Sequence, residues 1–155
     1  MNQQAMNNQP LNDKPIEILL AEDSHADARL TAEALKETRL AHNLNRVSDG
    51  VEALEFLDRK GRYAAAPRPD LILLDLNMPR KDGREVLEEI ALREDLKTIP
   101  VVILTTSEAE ADILQAFDLK VKCYVIKAAN LDQFTQVVKS IEDFWLTLVA
   151  QGQRA

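Results

Sequence analysis

Short apolar runs and segments of helical periodicity alternate along the whole chain. The apolar runs predict five β-strands, at Glu17–Ala21, Asn43–Val47, Leu71–Asp75, Val101–Thr105 and Cys123–Ile126. The segments that follow them predict five helices, at Ala26–Glu37, Gly50–Arg59, Gly83–Arg93, Glu108–Leu119 and Leu131–Leu148. Because several of the strands are almost wholly apolar, helices are expected to cover both faces of the sheet. The strict alternation predicts an α/β fold with a doubly wound parallel sheet.

Acidic residues end two of the apolar runs. Glu22 and Asp23 follow Ala21, and Asp75 is the last residue of its run. Functional groups in a doubly wound sheet gather at the carboxyl ends of the strands, so these carboxylates are predicted to meet there. Like charges in such a cluster repel unless a cation lies among them, and Mg²⁺, or Mn²⁺ in its place, is the expected ion. The neighbouring His25 is not expected to be a ligand, because a hard cation prefers oxygen.

Charge and composition exclude several classes of partner. The chain of 155 residues has a formal net charge of −7, whereas nucleic acids and anionic membranes require a basic surface. No apolar stretch approaches the ~20 residues of a membrane-spanning helix. With a single cysteine, Cys123, and no secretory signal pattern, a cytoplasmic location is expected. The polar segments 1–14 and 150–155 are predicted to be tails around one domain at 15–149.

Two further polar residues at predicted strand ends complete a possible phosphoryl-transfer site. Thr105 ends the fourth strand, and Lys127 follows the fifth. A carboxylate such as Asp75 can attack phosphorus to form an aspartyl phosphate. Transfer requires mainly positioning and neutralisation of the charge on the phosphoryl oxygens, to which a cation, an ammonium and a hydroxyl can each contribute. Each residue alone has an ordinary structural interpretation, but their common location favours a functional site.

These residues, in this order, resemble the receiver domain of two-component response regulators. The similarity extends from Ile16 to Leu148. The motifs that carry it are Glu22–Asp23, Asp75–Pro79 (DLNMP), Asp82–Gly83, Thr105–Thr106 and Tyr124–Lys127 (YVIK). The resemblance implies a flavodoxin-like (βα)5 fold with strand order 2-1-3-4-5, and a sensor histidine kinase that donates a phosphoryl group to the chain.

The resemblance also implies a role for each residue of the site. The implied roles are phosphoacceptor for Asp75; metal ligands for Glu22, Asp23, Asp75 and the backbone carbonyl of Asn77; phosphate-binding residues for Thr105 and Lys127; a switch pair for Thr105 and Tyr124; and control of the dephosphorylation rate for Asn77 and Ser107. In the switch, the hydroxyl would move toward the phosphate and the aromatic ring would turn inward into the vacated space.

Two positions depart from the usual receiver pattern. The acidic pair is normally two aspartates, but its first member here is Glu22, which keeps the charge on a longer side chain. The residue after the lysine is normally a proline with a cis peptide bond, but here it is Ala128. Because a cis bond before any other residue costs about 3 kcal/mol, the Lys127–Ala128 bond is expected to be trans.

Longer segments are similar to a narrower group, the stand-alone response regulators of cyanobacterial phytochromes. They include AEDSHADARL, PRPDLILLDLNMPRKDGREVLEEI, IPVVILTTS and IEDFWL. This similarity implies that the kinase is a light-sensing phytochrome. Because the chain ends soon after the fifth predicted helix, output is expected to pass through protein–protein contacts rather than through an attached DNA-binding or enzymatic domain.

The last predicted helix has an apolar stripe that extends close to its C-terminal end. Its members are Phe134, Val138, Ile141, Phe144, Trp145 and Leu148. Its C-terminal end is crowded with apolar residues, namely Phe144, Trp145, Leu146, Leu148 and Val149, and is expected to lie beyond the sheet. An exposed apolar cluster there indicates an interface. Aromatic residues suit such an interface, so the stripe predicts a homodimer through this helix.

Three other functions remain open for such a fold. An Asp-nucleophile phosphatase normally has a second acid two residues after the nucleophile, where this chain has Asn77, so an enzyme acting on a separate substrate is not expected. A flavodoxin-like cofactor carrier needs a loop of small residues around a phosphate, whereas Glu22 and Asp23 repel phosphate. A phosphorylation-independent binding module is disfavoured because every position of the site is filled.

Overall fold

A parallel sheet of five strands in the order β2-β1-β3-β4-β5 is the centre of the fold. The computed structural model of the chain describes residues 14–105, 123–126 and 131–150. The strands are β1 (Ile16–Ala21), β2 (His42–Val47), β3 (Leu71–Asp75), β4 (Val101–Thr105) and β5 (Cys123–Ile126). The helices of the described ranges are α1 (His25–Leu35), α2 (Gly50–Asp58), α3 (Gly83–Ala91) and α4 (Leu131–Ala150). All neighbouring strands are parallel, so their carboxyl ends meet at one edge.

The observed elements confirm the predicted doubly wound sheet and its strand order. The strands β3, β4 and β5 have the predicted bounds, while β1 and β2 each begin one residue earlier. The helices α1, α2 and α3 end slightly before their predicted ends. For α2 the reason is local, because Arg59 adopts a left-handed conformation with φ of 55° and its N–H bonds back to the last turn.

Among the described helices, α1 and α4 cover one face of the sheet, and α2 and α3 cover the other. Successive residues of a strand point to opposite faces. In β3, Leu71 and Leu73 belong to the core on the α1 side, and Ile72 and Leu74 belong to the core on the α2 side. All four are buried, which explains why β3 is apolar without alternation.

The C-terminal part of α4 packs against the body of the same chain. Ile141 and Trp145 are each only 2% exposed and belong to the core on the α1 side, and Phe144 packs against that core. The expectation that Trp145 is exposed is therefore wrong, and Ile141, which was assigned to the dimer interface, is a core residue as well, because α1 and the sheet cover both side chains. Among the side chains that the structure describes at this end, the large exposed apolar ones are Leu146 and Val149, at 36% and 43%.

Several sequence predictions fall on parts of the chain outside the described residues. These are the two tails, the helix at Glu108–Leu119, Ser107, Lys127 with its bond to Ala128, and the side chains of Thr105, Tyr124, Phe134, Val138 and Leu148. Within the described ranges, every helix is too short or too polar to cross a lipid bilayer.

Polar side chains begin three of the helices at the carboxyl edge of the sheet. Ser24, Asp49 and Asp82 each accept a hydrogen bond from the backbone N–H three residues on, at 3.1, 2.8 and 3.0 Å. Glu85 completes a capping box with Asp82. These caps set the residue at which each loop of this edge becomes a helix.

Asp49 also forms an ion pair with Arg80, from the loop between β3 and α3. Arg80 Nη2 and Nε lie 2.7 and 2.8 Å from Asp49 Oδ2, while Asp49 Oδ1 caps α2. Burial by itself would raise the pKa of Asp49, but the hydrogen bonds from the Glu52 N–H and from Arg80 outweigh it and hold this pKa below its ordinary value. Deprotonation of Asp49 is thus coupled to folding.

Trp145→Ala should lower the free energy of unfolding by about 3–5 kcal/mol, the usual cost of truncating a buried aromatic residue. Leu92→Ala, at a residue that is 86% exposed just after α3, is the matched control and should cost under about 1 kcal/mol. Urea unfolding of the two variants beside the native chain measures both values. Equal losses in the two variants would contradict the burial of Trp145.

Asp49→Asn should lower the free energy of unfolding at neutral pH by about 1–2 kcal/mol, because asparagine keeps the helix cap but loses the charge-assisted bonds to Arg80. The loss should shrink as the pH falls. A carboxyl with a lowered pKa stabilises the fold fully above its unfolded pKa, and this contribution disappears as the pH drops through its folded pKa. Urea unfolding of Asp49→Asn and of the native chain, once at neutral pH and once below the ordinary Asp pKa of 3.8, measures the loss of stability at each pH.

Asp82→Asn is the control for this pH dependence. Asp82 caps α3 in the same way, but it is in none of the ion pairs found among the described residues. Its substitution should change stability less at neutral pH. If the loss in Asp49→Asn were the same at both pH values, the ion pair would not be its source.

Candidate phosphoacceptor and metal site

Three carboxylates meet at the carboxyl edge of the sheet. Glu22 and Asp23 directly follow β1, and Asp75 is the last residue of β3. Because Ala21 and Leu74 are paired in neighbouring parallel strands, the residues after them are brought together. One oxygen of each carboxylate lies within 4.8 Å of the other two. The structure thus confirms the predicted meeting of these acids.

The three carboxylates differ in their access to water. Glu22 and Asp75 are 0% and 2% exposed, whereas Asp23 is exposed. Buried carboxylates so close together are costly unless a cation or hydrogen bonds offset their charge. The exposed side of the cluster leaves a path for an incoming group.

Backbone N–H groups hold the two buried carboxylates in place. Ser24 N–H donates to Glu22 Oε2 at 3.3 Å, and Asn77 N–H donates to Asp75 Oδ1 at 3.1 Å. The Glu22 N–H in turn donates to the carbonyl of Val47, the last residue of β2, at 3.0 Å. The positions of the oxygens are therefore tied to the loops after β1 and β3.

The donor set suits a hard divalent cation. It consists of carboxylate oxygen atoms. Mg²⁺ and Mn²⁺ prefer oxygen ligands, whereas softer metals prefer sulfur or imidazole nitrogen. His25 lies outside the cluster among the described residues, and its ring Nδ1 is 2.8 Å from Arg46 Nη1. Because a guanidinium only donates, Nδ1 accepts and the hydrogen is assigned to Nε2.

Gly83 closes the loop that begins at Asp75. Its N–H donates to the Leu76 carbonyl at 3.0 Å. A Cβ atom at this position would lie 2.6 Å from the Asp75 carbonyl oxygen and 2.8 Å from Leu76 Cα. Any side chain here would displace the end of β3 that carries the carboxylate, which explains the Asp82–Gly83 motif.

The backbone places the other predicted residues on the neighbouring strands. Thr105 ends β4, which pairs with β3, and Thr105 itself pairs with Ile126, the last residue of β5. Lys127 follows Ile126 in the sequence. The side chains of Thr105 and Tyr124, and all of Ser107 and Lys127, lie outside the described part of the chain. Their roles stay predictions.

Sequence reasoning missed three residues that hold this edge together, Arg46, Asp49 and Arg80. Arg46 Nε donates to the Glu22 carbonyl at 3.0 Å, and Arg80 pairs with Asp49 as described above. The only local signal was the turn pattern Asp49–Gly50 before α2. The partners are far apart in the chain, so no spacing rule identifies them.

Comparison with known proteins places the chain in a family. A family model described as the response regulator receiver domain matches residues 18–139. The response regulator Rcp1 of Synechocystis sp. is 52% identical over 135 residues, which cover 87% of this chain and 92% of Rcp1.

Two solved structures are similar over most of their length. The phosphorylated cyanobacterial phytochrome response regulator RcpA is 54% identical with a TM-score of 0.78, over 86% of this chain and 95% of that one. The Mn²⁺-bound form of Rcp1 is 52% identical with a TM-score of 0.76, over 85% of this chain and 95% of that one.

The family match and the geometry agree. The matched residues contain the acidic pair after β1, the carboxylate that ends β3 and the strand ends beside it. The strand order of the sheet is the one that the receiver resemblance implied. On this evidence, the chain belongs to the response regulator receiver family, whose members are phosphorylated on an aspartate in two-component signalling.

Proposed function

We propose that Asp75 is the residue that accepts a phosphoryl group from a sensor histidine kinase. The observation that carries this proposal is the position of its carboxylate, buried at the end of β3 beside the oxygens of Glu22 and Asp23. In the transfer, an Asp75 oxygen forms a bond to phosphorus. The bond between phosphorus and the kinase histidine breaks, and its electron pair stays on the histidine nitrogen. The product is an aspartyl phosphate.

The proposed cation is Mg²⁺, or Mn²⁺ in its place. Glu22, Asp23 and Asp75 would hold it through carboxylate oxygens, and Asn77 through its backbone carbonyl. When bound, it neutralises charge on the phosphoryl oxygens. The oxygen-only cluster and the likeness to Mn²⁺-bound Rcp1 support this choice.

The other proposed roles belong to residues at or near the ends of β3, β4 and β5. Thr105 and Lys127 are proposed to bind the phosphoryl oxygens, since β4 and β5 are neighbours and end together. Thr105 and Tyr124 are the proposed switch pair. Asn77 and Ser107 are proposed to influence the rate at which water removes the phosphoryl group. In this proposal the chain assists its own phosphorylation and dephosphorylation without acting on a separate substrate.

The proposed phosphoryl donor is a phytochrome with kinase activity in the cytoplasm. Its support is the high identity to RcpA, a cyanobacterial phytochrome response regulator, over nearly the whole of that chain. The single cysteine is compatible with this location.

A homodimer through α4 is also proposed, with Leu146 and Val149 in the contact in place of the buried Ile141 and Trp145. Ile141 and Trp145 are core residues that pack α4 against the body of its own chain. Leu146 and Val149 are three residues apart, lie on one side of α4 and are exposed. They are the side chains that a partner copy would cover.

Incubation with acetyl phosphate and Mg²⁺ should add one phosphoryl group to the native chain and none to Asp75→Asn, because asparagine cannot form the acyl phosphate. Omission of Mg²⁺ should reduce the addition strongly, since the carboxylates would repel the donor. Intact-mass spectrometry measures the addition. Asp143→Asn, a change of an exposed acid on α4, is the matched control and should be phosphorylated like the native chain.

Two results of this experiment would contradict the proposal. One is a phosphoryl group on Asp75→Asn, which would move the acceptor elsewhere. The other is a native chain that gains no phosphoryl group, which would favour a phosphorylation-independent binding module. Steady release of phosphate from small phosphomonoesters would instead indicate a phosphatase.

Leu146→Asp should weaken the dimer, because a charge would enter an apolar contact. Leu92→Asp is the matched control, since Leu92 is 86% exposed just after α3, away from α4. Sedimentation velocity over a range of concentrations measures the association of each protein. A native chain that stays monomeric at all concentrations would refute the dimer, and equal effects of the two substitutions would refute this interface.

A further inference from the structure

We propose that Asp49 and Arg80 form a positioning pair that sets the affinity of the carboxylate cluster for its divalent cation. The pair touches neither the cation nor the phosphoryl group. It acts by holding the loop between β3 and α3, in which Asn77 is proposed to supply a carbonyl ligand. The inference rests on the proposed function, because it assumes that the cluster of Glu22, Asp23 and Asp75 binds a cation.

The loop between β3 and α3 is closed at both ends by hydrogen bonds, and between these ends Met78 is buried in the core and Arg80 is paired with Asp49. At one end Asn77 N–H donates to Asp75 Oδ1 at 3.1 Å. At the other end Gly83 N–H donates to the Leu76 carbonyl at 3.0 Å. The orientation of the Asn77 carbonyl therefore depends on what fixes the residues between, and these include Arg80.

Arg80 adopts a backbone conformation that is unfavourable for a residue with a side chain. Its φ of 63° is in the left-handed region. Such a conformation persists when surrounding contacts impose it, and it often lies near a functional site. Here two contacts act on Arg80: the Lys81 N–H donates to the Pro79 carbonyl at 2.7 Å across it, and its guanidinium places both Nε and Nη2 on Asp49 Oδ2 at 2.8 and 2.7 Å.

The partner carboxylate is itself rigidly held. Asp49 is only 7% exposed, and its Oδ1 accepts from the Glu52 N–H at 2.8 Å as the cap of α2. The backbones also meet directly, since Gly50 N–H donates to the Lys81 carbonyl at 3.0 Å. A Cβ at Gly50 would lie 2.2 Å from that carbonyl oxygen, so this contact requires glycine. The start of α2 thus forms a fixed support for the loop.

The same segment of chain is tied to the other side of the cluster. The Val47 carbonyl accepts from the Glu22 N–H at 3.0 Å, and Arg46 Nε donates to the Glu22 carbonyl at 3.0 Å. Residues 46–50 therefore contact two loops. Arg46 and Val47 hold the loop that contains Glu22, and Asp49 holds, through Arg80, the loop that contains Asn77. This continuity is why we assign the ion pair a role in the site rather than in stability alone. Residues that orient metal ligands commonly influence affinity in this way.

The test uses substitutions that keep the local backbone. Asp49→Asn retains a good helix cap, and Arg80→Asn places a residue that tolerates the left-handed conformation. Arg80→Lys keeps the charge but cannot reproduce the planar pair of donors. Arg93→Asn is the matched control, because it removes an ion pair with Asp58 and Asp95 that joins the ends of α2 and α3 far from the cluster.

The dissociation constant of Mn²⁺ alone is measured on the full chain by electron paramagnetic resonance of the free ion, and the thermal midpoint is recorded on the same samples. Asp49→Asn and Arg80→Asn should each weaken Mn²⁺ binding roughly tenfold. The double variant should bind Mn²⁺ about as tightly as the single variant with the larger loss, since both substitutions remove the same contact. Arg80→Lys should lose less Mn²⁺ affinity than Arg80→Asn. Arg93→Asn should have a lower thermal midpoint, but its affinity for Mn²⁺ should stay within about twofold of that of the native chain.

The outcomes separate this inference from the proposed function. Native Mn²⁺ binding that is lost in Asp75→Asn, together with unchanged binding in the Asp49 and Arg80 variants, would overturn the inference and leave the function intact. Equal weakening in Arg93→Asn would also overturn it, because the effect would then follow stability. Losses that multiply in the double variant would overturn it as well, because the two residues would then act independently rather than through their contact. A native chain that does not bind Mn²⁺ would contradict the proposed function itself.

Discussion

The parallel pairing of β1 with β3 is the contact on which the site depends. It places Ala21 beside Leu74, so that Glu22, Asp23 and Asp75 emerge together at the carboxyl edge. Two of these carboxylates are buried, and burial makes their mutual repulsion stronger than it would be in water. The sheet can hold them because its apolar residues, packed by helices on both faces, provide the stabilisation that the acidic edge lacks.

The loops of this edge are held mainly by backbone hydrogen bonds and close backbone contacts. Gly50 and Gly83 each lie where a side chain would collide with the carbonyl of another segment. By contrast, the exposed ion pairs on the helices, such as Lys36 with Glu33, are solvated and contribute little to stability. The partly buried pair of Asp49 and Arg80 is intermediate, because it joins two segments that are distant in sequence and both border the site.

Membership of the receiver family is consistent with the departure at Glu22. Its longer side chain still brings an oxygen within 4.8 Å of those of Asp23 and Asp75. The extra methylene is accommodated by burial of Glu22 and by the hydrogen bond from the Ser24 N–H. Glutamate therefore preserves the charge and the oxygen donor of the usual aspartate at this position.

The amino-acid sequence by itself determined the fold class, the order of the elements and the three acids of the site. These features could be predicted because strands and helices have periods of about 2 and 3.6 residues, and because parallel strands end at the same edge. The residues at the strand ends indicated that phosphoryl transfer to Asp75 was possible, and a family resemblance carried by separate short motifs gave each residue its implied role. The bounds of helices were less accurate, as the left-handed Arg59 that ends α2 illustrates.

Only the tertiary structure decided what covers Trp145 and what holds Arg80. The apolar stripe of α4 has the same pattern whether it faces a partner chain or its own core, and it is α1 that buries Ile141 and Trp145. Likewise, Asp49 and Arg80 have no relation in sequence spacing, yet they meet because β2 and β3 flank β1 in the sheet. Periodicity is a local property of the chain, whereas these contacts depend on which segments the folded sheet brings together.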